Sequence, residues 1–400
     1  MRTFTRTLGA ITVAALLPSA VAADVVSDEA AAVLIFPRVL AATRETLLDF
    51  SSSQTTVNTV IQISNTSTQA VDLHCFYVNA NGHCSVTGSA CEAGRDPVFR
   101  CPDAADVCLP GWIETDFNVK LTPRQPLAWS VAIGLSNELL PLKGAGPGGN
   151  AGTSVPPVQL GEVLFGMLPP IIVSQDASFF EGELKCVVVD ETGRAVARNV
   201  VKGEATITTE TTASNVGAQL VFPLVEKYNA VGIKAIEGDA NGDGVLELGG
   251  GSNEYNGCAN VLIAEHLFDS ASYPTEPIVG SQFTLVPCTQ DLRAQIPGST
   301  TAQFLVFNEF EQRFSTSQPV NCFFRSRLSH IDTPDSSRSI FSVFVTGTFA
   351  GQTRIRGVQG GLIGVVSETA IAKDIPFSAD ASFQFGMQGE REAADRITLP

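Results

Sequence analysis

Charged residues are scarce in this chain, and basic residues are scarcer than acidic ones. Only 16% of its 400 residues are charged, and 25 Lys and Arg stand against 41 Asp and Glu, which gives a net charge of −16 at pH 7. Electrostatic binding to nucleic acid or to an anionic membrane requires a basic surface. The charge balance therefore excludes nucleic acid as a partner of this kind.

Long apolar segments are also missing, apart from one short run at the N-terminus. No later run reaches the roughly 18 uncharged apolar residues that a membrane-spanning helix needs, so no transmembrane segment is expected in the mature chain. At the start, Arg2 and Arg6 precede the apolar run 8–17, and Ala20 and Ala22 form an A-x-A cleavage signal. This order is typical of a secretory signal peptide. We expect cleavage near Ala22 and a periplasmic or extracellular location.

The sequence contains none of the common catalytic motifs. There is no G-x-S-x-G, no H-E-x-x-H, no Walker loop and no C-x-x-C-H, and the chain has only 4 His. Sugar sites usually stack rings on Trp and Tyr, yet 2 Trp and 4 Tyr stand against 24 Phe. A pair of acids for glycoside hydrolysis stays open, because the distance between carboxylates is invisible in a sequence. No catalytic residue is predicted.

Short runs rich in Val, Ile, Phe and Thr dominate the rest of the chain, and Gly, Pro, Asn and Asp separate them. Short strands separated by polar turns, with no sustained helical periodicity, are typical of all-β sandwiches. Tight turns are predicted at 65–69 and 190–193. The predicted strands are 33–39, 59–65, 70–78, 116–121, 127–135, 183–189, 195–201, 219–225, 260–268, 282–286, 301–308, 320–326, 340–348 and 361–366.

A weak internal repeat suggests two units. The run Leu34-Ile35-Phe36-Pro37-Arg38-Val39 matches Leu220-Val221-Phe222-Pro223-Leu224-Val225 at four of six positions, with chance similarity among strands as the alternative. We place the boundary in the stretch 208–217, which is rich in Thr, Ser and Asn. The predicted organisation is a signal peptide at 1–22, a β-sandwich domain with a disulfide-rich loop at 23–207, a linker at 208–217 and a second β-sandwich domain with a calcium-type loop at 218–400.

The run Thr59-Val60-Ile61-Gln62-Ile63-Ser64-Asn65-Thr66-Ser67, followed by Ala70-Val71-Asp72-Leu73, resembles the first hairpin of bacterial exported immunoglobulin-like modules. The resemblance covers about 25 residues and transfers no functional residue. It implies two immunoglobulin-like β-sandwich domains in tandem and a stalk, adhesion or docking role. In overall pattern, the chain also resembles exported bacterial proteins of unestablished function.

The chain has nine cysteines, which in an oxidising compartment predicts disulfides and one unpaired thiol. Six lie in the first half of the chain and three in the second: Cys75, Cys84, Cys91, Cys101, Cys108 and Cys186, then Cys258, Cys288 and Cys322. The polar loop 84–108 is expected to contain two local bridges, whose pairing the sequence leaves open. Cys75 and Cys186 lie among apolar strand residues and could pair. A metal site at His74 and Cys75 is disfavoured, because adjacent strand residues point to opposite faces.

The most specific chemical motif is the loop 239–247, D-A-N-G-D-G-V-L-E. It places oxygen ligands at positions 1, 3 and 5, Gly at position 6, a backbone carbonyl at 7 and an acid at 9, as in a calcium-binding loop. The glutamate expected at position 12 is replaced by Gly250, and Glu254 is the nearest later acid. The sequence predicts a weak calcium site, with a polar turn as the alternative. The predicted ligands are Asp239, Asn241, Asp243, Val245 and Glu247.

Two functions follow from these observations. The favoured one is a secreted or cell-envelope β-sandwich protein with a structural, adhesive or binding role, stabilised by disulfides and calcium, whose partner is an envelope or extracellular surface component. The alternative is a secreted hydrolase that acts on envelope or extracellular glycans at a site between the two domains, where pockets often form. A cleft lined by two or more acids would favour the hydrolase.

Overall fold

The computed structural model describes residues 25–26, 29–48, 51–80, 82–84, 90–91, 108–109, 113–135, 154–158, 177–215, 218–270, 278–333, 336–371 and 378–400. The predicted signal peptide at 1–22 lies outside these residues. No helix within them is long and apolar enough to cross a membrane.

The described chain is almost entirely β, as the sequence predicts. The first thirteen strands are β1 Val25–Val26, β2 Val33–Leu48, β3 Ser51–Asn65, β4 Val71–Asn79, β5 Gly82–Cys84, β6 Ala90–Cys91, β7 Cys108–Leu109, β8 Ile113–Leu121, β9 Pro126–Ser130, β10 Ala177–Val189, β11 Val201–Asn215, β12 Ala218–Asn229 and β13 Val231–Ile233. The remaining twelve are β14 Val245–Leu248, β15 Ala259–Leu267, β16 Ile278–Pro287, β17 Gln290–Asp291, β18 Ser299–Asn308, β19 Arg313–Asn321, β20 Phe324–Arg327, β21 Ala350–Gly357, β22 Leu362–Ile371, β23 Ser378–Gln384, β24 Gly386–Glu390 and β25 Asp395–Thr398. Short helical turns occur at Leu328–His330, Ser336–Arg338 and α1, Val343–Thr346.

Ten of the strands form one sheet, which we call the N-terminal sheet. Its main path is β12-β11-β3-β2-β10-β4-β8, and β9 pairs with β3. β9 pairs with residues 60–64 of β3 along the edge that pairs with β2 at residues 51–58, because β11 occupies the other edge. The indole of Trp129 on β9 donates a hydrogen bond to the Tyr77 hydroxyl on β4, at 2.6 Å. Ala205 of β11 lies in one apolar cluster with Leu73 of β4 and Val119 of β8, so the sheet curls over and encloses its own core.

Both faces of strand β2 are buried, because its N-terminal part is a continuous apolar run. Leu34 and Phe36 lie in the core of the curled sheet. Val33 and Ile35 point to the opposite face, as the two-residue period of a strand requires, and pack in a second apolar cluster.

Two further sheets pack face to face and form what we call the C-terminal sheet pair. One has the order β19-β18-β21-β15-β24 and the other β20-β16-β22-β23. Phe304 and Ile355 of the first share a core with Phe283 and Val366 of the second. Three further strands of this part of the chain form a small separate sheet, with the order β14-β25-β17.

The N-terminal sheet and the C-terminal part of the chain share one apolar cluster. It contains Ile35, Phe76 and Val187 of the N-terminal sheet together with Leu246 and Ile363 from the later strands. The two parts thus bury apolar surface against each other. The number of domains and their immunoglobulin-like nature stay predictions.

Both predicted tight turns are present, and side-chain hydrogen bonds explain them. The side-chain oxygen Oδ1 of Asn65 accepts a hydrogen bond from the Ser67 amide at 2.9 Å, and the Asp190 carboxylate accepts one from the Thr192 amide at 2.8 Å. Gly193 takes a positive φ of 85°. Short Asn and Asp side chains bonded to the backbone two residues on are what favours these residues in turns.

The stretch 208–217 is not a linker over its described residues. Residues 208–215 belong to β11, which pairs with β3 on one side and with β12 on the other. The composition is misleading because threonine is common in loops but is also β-branched, and branched side chains fit a pleated surface.

Four predicted strands differ from the structure. Strand β9 ends at Ser130, so 127–135 is shortened, and 320–326 is divided between β19 and β20. Within 195–201 only Val201 belongs to a strand, and residues 195 and 196 make isolated bridges. Within 340–348 the chain forms the helical turn α1, which ends at Gly347 with φ 69°. The run is rich in β-formers, but within α1 the buried residues Val343 and Thr346 are three apart, which is a helical spacing.

Two disulfides are present among the described residues. The pairing of Cys75 with Cys186, which the sequence suggests, is confirmed, and Cys258 pairs with Cys288. Cys322 is a buried free thiol. Within the loop 84–108 the structure describes only the backbone of residues 84, 90, 91 and 108, and the strand register places Cys84 opposite Cys108. The two predicted local bridges lie outside the described side chains.

Candidate functional site

The loop 239–247 is held in shape by hydrogen bonds from its own acids to its own backbone. Asp239 is buried, and its two carboxylate oxygens accept hydrogen bonds from the amides of Gly242 at 2.7 Å and Gly244 at 3.1 Å. Asn241 accepts from the Asp243 amide at 2.9 Å, and Asp243 accepts from the Val245 amide at 2.7 Å. The alternating oxygens therefore all turn toward the inside of the loop backbone.

The glycines of the loop are required by its conformation. Gly242 and Gly244 have backbone φ angles of 72° and 77°, which residues with a Cβ atom rarely adopt. A Cβ on Gly244 would also lie 2.2 Å from a guanidinium nitrogen of Arg293.

Two arginines brace the loop from outside, and the sequence gives no sign of either role. Arg194, from the N-terminal half, donates hydrogen bonds to the Asp239 carbonyl at 2.8 Å and to the Ala240 carbonyl at 2.7 Å. Arg293 donates to the Asp243 carbonyl at 2.9 Å. The arginines hold backbone carbonyls, so the carboxylates of the loop are not their partners here.

The later acid Glu254 lies against the loop. Its carboxylate accepts a hydrogen bond from the Glu247 amide at 3.0 Å. Burial first, and then the negative charges of Asp239, Glu247 and Asp243, raises the pKa of Glu254. Burial and the charges of Asp239 and Glu254 likewise raise the pKa of Tyr255. The loop therefore concentrates negative charge, and within the described part of the chain Glu247 is the only one of these acids that pairs with a basic side chain.

The predicted ligands are not drawn into one coordination sphere. Val245 begins β14, and Glu247 forms an ion pair with Arg396 at 3.1 Å. Among the described residues, the one group of three His, Cys, Asp or Glu side chains whose ligand atoms lie within 4.8 Å of one another is Cys258, Cys288 and Asp395. That group is no metal site, because the two cysteines are bonded to each other. The loop acids have to move closer together to share an ion.

Exposed apolar side chains gather at one end of the C-terminal sheet pair. We call Phe310, Phe344, Val345 and Phe349 the apolar tip; their exposed fractions are 64%, 75%, 46% and 40%. They come from two segments that touch, since the side-chain nitrogen of Asn308 donates to the Thr346 carbonyl at 3.0 Å and the Thr348 hydroxyl donates to Glu309. The sequence does not indicate this surface, because its residue pattern predicts a strand over 340–348.

The chain was compared with known protein families, curated proteins and solved structures. No family model, no curated protein and no solved structure matches the chain.

Proposed function

We propose that this chain is a secreted or cell-envelope β-protein with a structural or adhesive role, and that it binds its partner through the apolar tip. The observation that carries the proposal is the cluster of three exposed phenylalanines and a valine on two adjoining segments. Single exposed apolar residues are ordinary, whereas a group of large ones usually marks an interaction surface.

Charges beside the apolar tip indicate the chemistry of the partner. Glu309 and Glu311 flank Phe310, and both are exposed. Aromatic residues dominate the centres of protein interfaces, and polar or charged groups form their rims. The partner we propose is therefore a protein component of the envelope or extracellular surface, with an apolar patch and basic residues around it.

Cosedimentation with cell-envelope preparations tests this proposal. The double variant Phe310→Ser, Phe344→Ser should lose most of the bound fraction, while its melting temperature stays close to that of the wild type because both side chains are exposed. The matched control is Ile236→Ser, Ile296→Ser, which removes two exposed apolar side chains from other surfaces. Equal binding by both double variants would contradict the proposal, as would loss of binding in both.

A calcium ion in the loop 239–247 is the second part of the proposal. Its support is the clustering of Asp239, Asp243, Glu247 and Glu254, whose mutual repulsion a divalent cation would relieve. Glu254 contacts the loop through the Glu247 amide, so it is the acid we propose in place of the one that position 12 lacks. Calcium loops with an incomplete ligand set bind at the weak, extracellular end of the range, on the order of 10⁻⁴ to 10⁻³ M.

Thermal unfolding with calcium and with chelator tests the loop. At ten times such a dissociation constant, binding stabilises the folded state by RT ln 11, or about 1.4 kcal/mol, and raises the melting temperature by a few degrees. Asp243→Ala should abolish the shift, and Asp72→Ala, which removes an acid far from the loop in sequence, should keep it. Identical wild-type curves under the two conditions would show that the loop is only a turn.

The hydrolase alternative has one observation in its favour. A cavity between the N-terminal sheet and the C-terminal sheet pair is lined by two acids, Glu226 and Asp269. Both are already engaged, Glu226 by Arg38 at 2.7 Å and Asp269 by the Ser329 hydroxyl at 2.5 Å. We therefore place hydrolysis second. Release of sugars from envelope glycans that Glu226→Gln and Asp269→Asn each abolish would reverse this order.

A further inference from the structure

The cavity between the two parts of the molecule is polar and small. Its volume is about 190 Å³, and strands β2, β11 and β12 on one side face β16, β20 and β22 on the other. Pockets for drug-sized ligands measure roughly 300 to 1,000 Å³, so this one suits a single small molecule and not a polymer segment. Its lining includes the polar and charged residues Arg38, Glu226, Asp269, Arg327 and Thr369.

Arg38 on β2 is the fixed centre of the cavity wall. Its side chain is 8% exposed, and one terminal nitrogen donates to Glu226 at 2.7 Å, to Ser382 at 3.1 Å and to Ser367. The guanidinium Nε is buried and has no hydrogen-bond partner within the described structure. A buried charged donor without a partner is unfavourable, so this nitrogen is a group that a bound molecule would satisfy.

Thr369 adds a hydroxyl group on the wall that faces Arg38. It lies on strand β22, where Gly280 of β16 is its register partner. Ser281, the next residue of β16, points to the opposite face, where its oxygen accepts a hydrogen bond from the Leu267 amide at 2.9 Å. A threonine hydroxyl both donates and accepts hydrogen bonds, so Thr369 can serve a ligand hydroxyl in either way.

The charges of the lining cancel. Arg38 and Arg327 contribute two positive charges, and Glu226 and Asp269 contribute two negative ones. A ligand with a net charge would upset this balance in a partly buried space, where charges cost most. A neutral ligand with hydroxyl groups can bind both the basic and the acidic side chains of the lining, because each hydroxyl donates one hydrogen bond and accepts others.

We infer that this cavity binds a small neutral polyhydroxylated molecule of the size of a monosaccharide. Arg38 Nε and the Thr369 hydroxyl donate to the ligand oxygens, and the acidic oxygens of the lining accept from its hydroxyls. The site is separate from both the apolar tip and the calcium-type loop, so this inference does not depend on the proposed function.

Gly280→Ala is the sharpest variant for the test. A Cβ at position 280 would meet the Asp269 carboxyl carbon at 3.5 Å, an ordinary contact, so the strand tolerates the methyl group while the group occupies cavity space. The matched control is Gly386→Ala on β24, where the nearest atom to the new Cβ is the Ile263 carbonyl oxygen at 3.4 Å. A second variant, Thr369→Val, removes one hydroxyl without changing the shape of the side chain, and Thr369→Ser restores it.

Titration calorimetry with a panel of hexoses, glycerol, glycine and inorganic phosphate, in the presence of a calcium chelator, provides the measurement. We expect one of the neutral polyols to bind to the wild type and to Gly386→Ala, and to bind at least about tenfold more weakly to Gly280→Ala, as one added methyl group does in a fitted pocket. Thr369→Val should weaken binding and Thr369→Ser should restore it.

Three results would overturn the inference. The first is no binding of any neutral polyol at 10 mM or so, well above the usual range for a fitted small-molecule site. The second is binding of phosphate alone, which would assign the cavity to an anion, or of glycine alone, which would assign it to a zwitterion. The third is polyol binding that Gly280→Ala leaves unchanged, which would place the site elsewhere.

Discussion

A buried lysine joins the two parts of the molecule. Lys185 on β10 has no solvent exposure, and its ammonium lies 2.6 Å from the Glu183 carboxylate. It also donates to Gln290 of the C-terminal part, which in turn donates to Glu183. Burial lowers the pKa of Lys185, and the neighbouring Glu183 acts in the opposite direction. The ammonium therefore depends on its partners to stay charged in the interior.

Glu183→Gln should lower the free energy of unfolding by about 3 to 5 kcal/mol, because it leaves a buried charge without its counterion. The double variant Glu183→Met, Lys185→Met should lose less stability than the sum of the losses in the single variants Glu183→Met and Lys185→Met. Urea denaturation measures the free energy of unfolding of each variant. The matched control is Asp72→Asn, which removes the partner of the exposed Lys120 at 3.3 Å and should cost at most about 1 kcal/mol. Similar losses for Glu183→Gln and the control would contradict this account.

His266 is a second residue that the fold holds in one protonation state. The ring lies between those of Phe268 and Phe283, at 5.0 Å and 5.8 Å between centroids. Burial lowers the pKa of His266 to about 4. The folded protein keeps the ring neutral, whereas the unfolded chain takes up a proton below about pH 6.5. Stability from His266 is thus complete above that pH and is lost as the pH falls toward 4.

Because of His266, the free energy of unfolding of the wild type should fall by about 2 to 3 kcal/mol between pH 7 and pH 4. We expect His266→Phe to abolish this part of the pH dependence. Glu114 acts in the opposite direction, because burial and then the charges of Asp116 and Asp291 raise its pKa to about 7. Its stabilising effect is present below about pH 4.5 and is lost as the pH rises to 7. The measurement is therefore the difference in unfolding free energy between wild type and variant at each pH. A difference that is constant over this range would rule out the role of His266.

At the scale of elements, the two described disulfides brace different kinds of connection. Cys75 and Cys186 are register partners on the adjacent strands β4 and β10. Cys258 precedes β15, and Cys288 follows β16, so this bridge links the two facing sheets of the C-terminal pair. The first closes 111 residues of chain and the second closes 30.

Removal of the first bridge should destabilise the protein more than removal of the second. A longer loop gains more entropy in the unfolded state, and the ratio of the two lengths corresponds to a difference of about 1 kcal/mol. Chemical denaturation of Cys75→Ala, Cys186→Ala and of Cys258→Ala, Cys288→Ala under non-reducing conditions compares them directly. A larger loss for the second pair would show that packing around the bridges outweighs loop length.

At the scale of the whole molecule, the shared apolar cluster makes the two parts depend on each other. Ile35 and Phe76 are buried against residues of the C-terminal part, and Val365 of β22 belongs to the core of the N-terminal sheet. Separation of the parts would expose this apolar surface and the Lys185 network to water.

Calorimetry should therefore show one cooperative unfolding transition, with equal calorimetric and van't Hoff enthalpies. Glu183→Gln and Asp243→Ala should shift this transition as a whole, although they lie in different parts of the chain. Two resolved transitions, of which each variant moves only one, would show that the parts unfold independently and would favour the tandem arrangement that the sequence predicts.

Local patterns in the sequence determine much of the fold. The turns at Asn65 and Asp190 follow from side chains that bond to the backbone two residues away, and the all-β class follows from the strand patterns. The alternation of Leu34 and Phe36 with Val33 and Ile35 is likewise local. These features need only neighbouring residues, so a sequence can reveal them.

The tertiary structure decides everything that depends on residues far apart in the chain. Arg38 and Ser367 are 329 residues apart, yet they meet in the cavity wall, and Arg194 reaches the calcium-type loop from 45 residues away. The same limit explains the errors at 208–217 and 340–348, where strand partners and burial outweigh composition. Local composition sets which conformations a segment can adopt, and the partner that buries it selects one of them.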